Sequence, residues 1–164
     1  VDIQYIEEKE KLGTGGSLSL IDFTLKDPFF VINGDILTSI DFEKFHRFHV
    51  SNDSNATICT KKNYYKIPYG VLNIDINNTI LSIDEKPEFN YLINTGIYML
   101  NPETLKYIPK NHYFDMPTLF KLLREDNLMI KSFEITDYWV DIGYPDDYVS
   151  LNNKVSDIES TGFF

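Results

Sequence analysis

The sequence predicts an α/β fold in which a mixed sheet is flanked by helices. Two observations lead there. Early in the chain, apolar runs of strand length alternate with stretches whose apolar residues recur at helical spacing. In the middle, three strand-like runs follow one another with only turn residues between them. The first pattern belongs to crossover units and the second to locally paired strands. At 164 residues and 43% hydrophobic, the chain is long enough for one domain with a real core and too apolar for a disordered one.

Asp2 to Ile6 alternates and reads as a short strand, followed by the charged loop Glu7 to Lys11. Leu12-Gly13-Thr14-Gly15-Gly16 is glycine-rich, and Leu18, Ile21 and Leu25 stand behind it at helical spacing, predicting a helix. Pro28 to Asn33 is continuously apolar and reads as a fully buried, central, parallel strand ending in Asn33-Gly34-Asp35. Asp41 is placed to cap a helix carrying Phe42, Phe45 and Phe48 on its core face. Ala56 to Thr60 is the next strand. Tyr69 to Ile74, Ile80 to Ile83 and Tyr91 to Leu100 are three more, with Asn77-Asn78 turning between the first two. Pro102 to Ile108 is a short helix with proline at its start. Asp115 to Glu125 is a longer one with Leu119, Leu122 and Leu123 inward. Met129 to Ile135 and Tyr138 to Asp141 read as strands, and Pro145 to Asn153 as a last helix with Asp146 and Asp147 in its first turn. Residues 1–154 are thus expected to form one domain, with a polar tail over 155–164.

A net charge of −10 repels phosphate backbones, which argues against a nucleic-acid partner. No apolar run approaches the ~20 residues that span a bilayer, so no membrane partner is expected. Cys59 is the only cysteine, it lies in a strand, and it cannot form a disulfide within the chain. That suits a reducing cytoplasm. A homo-oligomer is left open.

Several motifs can carry chemistry. Ligands of open α/β sheets bind beyond the carboxyl ends of strands. Asp35, after the apolar run, could there hold a divalent cation, and Gly34 would allow close approach. Asp141 in Trp139-Val140-Asp141-Ile142-Gly143 stands in a similar position. Two such carboxylates can share one Mg²⁺, with phosphate oxygens and waters completing the shell. Taken singly, each also reads as a turn or a helix cap. Lys86 in Glu85-Lys86-Pro87 could neutralise a phosphate, and Glu85 could accept from hydroxyls; an exposed charged turn is the plainer reading. Asn94-Thr95-Gly96 puts polar groups in an apolar strand, either for a ligand or at a bulge. Tyr69-Gly70-Val71 permits the same two readings. The Leu12–Gly16 loop could cradle a phosphate or a base through backbone N–H groups, but no Gly-Lys-Ser/Thr follows it as in a Walker loop. His46 and His49, three apart, read as surface histidines of one helix.

The order of these motifs is more telling than any one of them. Leu12-Gly13-Thr14-Gly15-Gly16-Ser17-Leu18, Val31-Ile32-Asn33-Gly34-Asp35, Tyr69-Gly70-Val71, Glu85-Lys86-Pro87, Asn94-Thr95-Gly96-Ile97-Tyr98 and Trp139-Val140-Asp141-Ile142-Gly143-Tyr144-Pro145 together closely resemble the sugar-phosphate nucleotidyltransferases. The resemblance runs from about Ile3 to Asn152. It implies a Rossmann-like fold of the nucleotide-diphospho-sugar transferase type and a reaction joining a sugar-1-phosphate to a nucleoside triphosphate. It implies Mg²⁺ on Asp35 and Asp141, and Lys86 on the sugar phosphate. It further implies Glu85, Gly70, Asn94 and Thr95 around the sugar, with Leu12, Gly13 and Thr14 beside the base. The short motifs look nearest the guanylyltransferase-like branch, which serves surface glycan synthesis.

There are departures. The family's glycine-rich phosphate loop and first strand would lie before Val1, so the chain is expected to be the later part of a longer polypeptide and to turn over little by itself. Gly15 stands where the family usually has Ala, and Asn33 where it has Leu, Gly or Cys. Two other readings compete: a glycosyltransferase, which would more typically show Asp-x-Asp after the central strand, and a degenerate or regulatory subunit that binds a nucleotide-sugar.

Overall fold

The computed structural model describes residues 2–143; the helix expected over 145–153 and the tail over 155–164 lie outside them. The secondary structure runs α1 (Gly13–Gly16), a 3-10 turn (Ser17–Leu20), β1 (Phe29–Ile32), β2 (Ile36–Thr38), α2 (Phe42–Ser51), β3 (Ala56–Lys66), β4 (Gly70–Ile74), β5 (Ile80–Glu85), β6 (Glu88–Leu100), a 3-10 turn (Pro102–Tyr107), α3 (Met116–Glu125), β7 (Ile130–Ile135) and β8 (Trp139–Asp141). The main sheet is mixed, in the order β1-β6-β3-β7. β6 runs antiparallel to β1 and β3, while β3 and β7 are parallel. Two smaller antiparallel pairs, β2 with β8 and β4 with β5, complete it.

Alternation along β6 explains why helices cover both faces. Ile97 and Met99 join Phe45, Cys59, Phe133 and Ile135 in one core. Tyr98 and Leu100 join Ala56, Met116, Leu119 and Leu123 in the other. Phe45 of α2 stacks on Phe133 with ring centroids 4.9 Å apart, and α3 seals the opposite side. The carboxyl-terminal half of β6 is wholly buried, which is why Ile97 to Leu100 reads as a continuous apolar run. Asp41 caps α2 as expected, accepting from the Lys44 N–H at 2.8 Å.

Four expectations need correction. The run Phe29–Ile32 is not a central parallel strand: it is antiparallel to β6, half-buried, and flanked by no second strand among the described residues. Its apolarity reflects helices over both faces, and that signal does not report whether a strand is central. Asp2–Ile6 forms no strand, and Tyr5 is 91% exposed; alternation needs a neighbour to pair with. The helix behind the glycines ends at Leu20, where Ile21 is already extended. Glycine weakens that helix, and Ser19 turns its hydroxyl back onto the Gly16 carbonyl at 2.7 Å. His49 is not a surface residue. It is 1% exposed, with its ring nitrogens 2.7 Å from Thr57 Oγ1 and 2.9 Å from Asn101 Oδ1.

The β4–β5 hairpin stands apart from both cores. Its register sets Leu72 opposite Ile83 and Asn73 opposite Ser82. Asn73 donates to Ser82 and Asp84 on the polar face, and Leu72, Ile74 and Ile83 are exposed.

Candidate active site

β1 ends at Ile32 and the chain turns through Gly34 and Asp35 into β2. This short excursion brings the two aspartates together. β2 pairs with β8 so that Ile36 lies opposite Asp141, and the Ile142 N–H donates to the Asp35 carbonyl at 2.8 Å. Residues more than a hundred positions apart in the chain thus become neighbours on adjacent strands. Both aspartates are exposed, so their carboxylates remain free to meet a cation.

Beside them is a cleft of about 530 Å³, lined by Thr14, Ser17 and Leu18 from the helical segment and by residues 30–35. A Cβ on Gly34 would meet nothing within 4 Å. No protein atom demands glycine there; the space beside it is the cleft. Gly96 is different. Its φ is +73°, and an added Cβ would lie 2.7 Å from Asn33 Nδ2. The Asn33 N–H also donates to the Gly96 carbonyl at 2.9 Å. Asn33, the residue that departs from the family pattern, therefore fits against a glycine one strand away.

Leu12-Gly13-Thr14 is clamped against the segment before α3. The Phe114 N–H donates to the Leu12 carbonyl at 2.7 Å and the Gly15 N–H to the Phe114 carbonyl at 2.9 Å. Leu12 is buried, so it supports the loop rather than lining the cleft. Gly13 has φ +79°, and a Cβ there would collide with Asp115 Oδ1 at 2.7 Å.

A second cluster forms on the hairpin. Gly70 pairs with Glu85, and a Cβ on Gly70 would lie 3.1 Å from Glu85 Oε2. Lys86 follows, its N–H donating to the Tyr69 carbonyl at 3.3 Å and its Nζ lying 3.9 Å from Glu85 Oε1. Lys86 has φ +49°. The other non-glycine residues with positive φ among the described residues are Asn or Asp, which tolerate that conformation. A strained lysine at the end of a strand fits a functional position. No hydrogen bond or ion pair among the described residues links this cluster to Asp35 or Asp141, so a bound substrate would have to bridge the two.

Asn94 is exposed; its amide donates to the Tyr98 hydroxyl at 2.8 Å and its oxygen accepts from the Gly96 N–H at 3.0 Å. Thr95 faces inward. It is 1% exposed, its hydroxyl donates to the Cys59 carbonyl at 2.8 Å, and its own carbonyl accepts from the Trp139 indole N–H at 2.8 Å. Thr95 and Trp139 thereby fasten β8, and with it Asp141, to the main sheet. Burial pushes the Cys59 thiol up, as suits an inert core residue.

Magnesium binds through one or two carboxylates plus substrate phosphates. Asp35 and Asp141 supply two exposed hard oxygen donors from neighbouring chain segments, a donor set of that kind. No cluster of three or more His, Cys, Asp or Glu able to hold a metal occurs among the described residues.

A family model described as Nucleotidyl transferase matches residues 1–158. The chain belongs to this family. Among other nucleotidyl transferases, it is 36% identical over 158 residues to Mannose-1-phosphate guanyltransferase 2 of Candida glabrata. It is likewise 36% identical over 157 residues to the mannose-1-phosphate guanyltransferase of Saccharomyces cerevisiae. Each alignment covers 92% of this chain and 43% of the relative, so the chain spans less than half the length of the curated proteins it matches. Among solved structures, HddC from Yersinia pseudotuberculosis complexed with GMP-PN superposes with a TM-score of 0.63 at 30% identity, over 92% of this chain and 65% of that one. A putative glucose-1-phosphate thymidylyltransferase from Bacillus anthracis, in complex with a sucrose, shares the fold with a TM-score of 0.64 at 21% identity, over 91% of this chain and 63% of that one. Both solved structures share the fold described above, a mixed sheet flanked by helices.

One feature of the site has no signal in the sequence, and one buried residue away from the site does have one. Asp115 was assigned only to the start of α3, and nothing local in the sequence connects it to Thr14. His49 was legible: Phe42, Phe45 and His49 stand at i, i+3 and i+7, which puts the histidine on the buried face.

Proposed function

We propose that the protein joins a sugar-1-phosphate to a nucleoside triphosphate, releasing pyrophosphate and forming a nucleotide-sugar. The observation that carries this reading is the β2–β8 pairing, which brings Asp141 opposite Ile36, next to the cleft-lining Asp35. In this reading the sugar-1-phosphate oxygen attacks the α-phosphorus in line with the departing pyrophosphate. Asp35 and Asp141 would hold Mg²⁺, which when bound neutralises charge on the α-phosphate and acts as a template. Lys86 fixes the incoming phosphate in attack geometry. Glu85, Gly70 and Asn94 contact the sugar, while Thr95, next to Asn94, ties β6 to β3 and β8. Gly13 and Thr14 form the edge beside the base, with buried Leu12 supporting it.

The base is proposed to be guanine and the sugar a mannose-like aldose, since the relatives are named mannose-1-phosphate guanyltransferases and HddC was solved with GMP-PN. The product would supply glycan synthesis, and a cytoplasmic setting agrees with a lone buried cysteine. No helix among the described residues is long and apolar enough to cross a membrane.

In the full-length protein, Asp35→Asn and Asp141→Asn are each expected to cut GDP-sugar formation at least a hundredfold while leaving the fold intact. Near-normal turnover in both variants would refute the assignment. An Mg²⁺-dependent thermal shift with GDP-mannose gives a second readout, since ligand at a hundred times its Kd adds ~2.7 kcal/mol of stability.

A further inference from the structure

Asp115 occupies the N-cap position of α3, yet its side chain makes no capping bond to its own helix. Its carboxylate points elsewhere. Oδ1 accepts from the Thr14 N–H at 3.1 Å and from the Thr14 hydroxyl at 3.4 Å. The Thr14 hydroxyl in turn accepts from the Met116 N–H at 3.0 Å. The two residues have exchanged duties across 101 positions of sequence. Thr14 caps the helix that Asp115 begins, and Asp115 fixes the backbone of Thr14. The fit is tight on both flanks. Gly13 leaves no room for a side chain against Asp115, and a Cβ on Gly16 would lie 2.8 Å from the His112 carbonyl.

Thr14 lines the cleft with Gly34 and Asp35, whereas Asp115 does not. Asp115 therefore reaches the cleft through Thr14. The Thr14 N–H lowers the Asp115 pKa most, followed by the Tyr113 hydroxyl, so at neutral pH the clamp carries a full negative charge.

We infer that Asp115 is the positioning residue for the nucleotide-binding edge: through the Thr14 N–H it sets the conformation of Leu12-Gly13-Thr14 in which the base is received. This rests on the function proposed above. A preformed edge spares the nucleotide the cost of ordering it, so loosening it raises the nucleotide Kd and leaves turnover at saturation in place.

The test uses the full-length protein with GTP and Mg²⁺. Asp115→Ser keeps a good N-cap side chain but is too short to reach Thr14. Asp115→Asn keeps an oxygen that can accept both Thr14 bonds. For Asp115→Ser, the Thr14 amide should exchange hydrogen faster. The GTP Kd and KM should rise roughly tenfold, the scale of a lost charge-assisted bond, with kcat and the sugar-phosphate KM unchanged. Asp115→Asn should restore most of the affinity. Faster exchange at Thr14 with an unaltered GTP Kd would overturn the inference while leaving the proposed function standing. So would an Asp115→Asn variant as impaired as Asp115→Ser. Absence of GTP binding by the unaltered protein would instead refute the proposed function, and the inference with it.

Discussion

Gly96→Ala is the substitution whose cost is most directly readable from the structure. Two separable penalties act there. The backbone sits at φ +73°, where a residue with a Cβ loses about 1–2 kcal/mol. The new methyl would also stand 2.7 Å from Asn33 Nδ2 and 3.0 Å from Asn33 Cγ, an overpacking that costs roughly 1–3 kcal/mol. The sum is about 3 kcal/mol. With a urea m-value near 2 kcal/mol/M this lowers the unfolding midpoint by ~1.5 M. A double-mutant cycle separates the two penalties. In an Asn33→Ala background the amide is gone and the Asn33 Cβ position, 3.3 Å away, stays. Gly96→Ala should then cost about 1–2 kcal/mol, the backbone share alone. The cycle is measured by urea unfolding of the full-length protein. Equal costs in the two backgrounds, to within ~0.5 kcal/mol, would refute the claim that Asn33 and Gly96 are fitted to each other.

Other outcomes follow from the same geometry. Gly34→Ala should leave stability within about 0.5 kcal/mol, because its Cβ meets open space, and yet raise the nucleotide KM; an unfolded variant, or an unchanged KM, would contradict the placement of the cleft. Lys86→Gly removes a left-handed lysine, so stability should hold or rise by up to about 1 kcal/mol while turnover collapses; retained turnover would remove Lys86 from the chemistry. Hydrogen bonds hold the Asp115 carboxyl below its ordinary range. A depressed folded pKa contributes stability above the unfolded value of about 4, and that contribution is lost as pH falls through the folded pKa. Asp115→Asn should therefore flatten the stability profile below about pH 4, as read by denaturant titration; an unaltered acid limb would show that the Thr14 and Tyr113 hydrogen bonds do not favour the carboxylate in the folded state.

Local patterns proved more legible than pairings. Asp41 announced the α2 cap because a capping side chain acts within three residues. The β4–β5 hairpin was visible because Asn77-Asn78 supplies its turn. The apolar run Ile97 to Leu100, buried throughout, needed no partner to be recognised as strand. By contrast, the rank of β1 in the sheet depends on what pairs with its edges, and apolarity is blind to that. At the site, the ordered motifs placed Asp35, Asp141, Lys86 and Glu85 at strand ends, where the fold indeed puts them. The bond between Asp115 and Thr14 was hidden, since an N-cap aspartate looks the same in sequence whether it caps its own helix or holds another segment. Thr95 was equally ambiguous: a polar residue in a strand can face a ligand or a buried carbonyl, and here it faces Cys59.

The pairing of β2 with β8 also has a bearing on how the protein is born. A ribosome releases the chain from its amino end, and domains fold as their residues emerge. Asp35 appears early, but its partner strand is Trp139–Asp141. No nascent chain, proteolytic fragment or prematurely terminated product ending before Asp141 can assemble both carboxylates. Such products could bury much of the Leu119 and Phe45 cores and still lack the paired aspartates. On the proposed function, integrity of the stretch through Asp141 is thus a requirement of the site itself, and shorter molecules would lack the carboxylate pair.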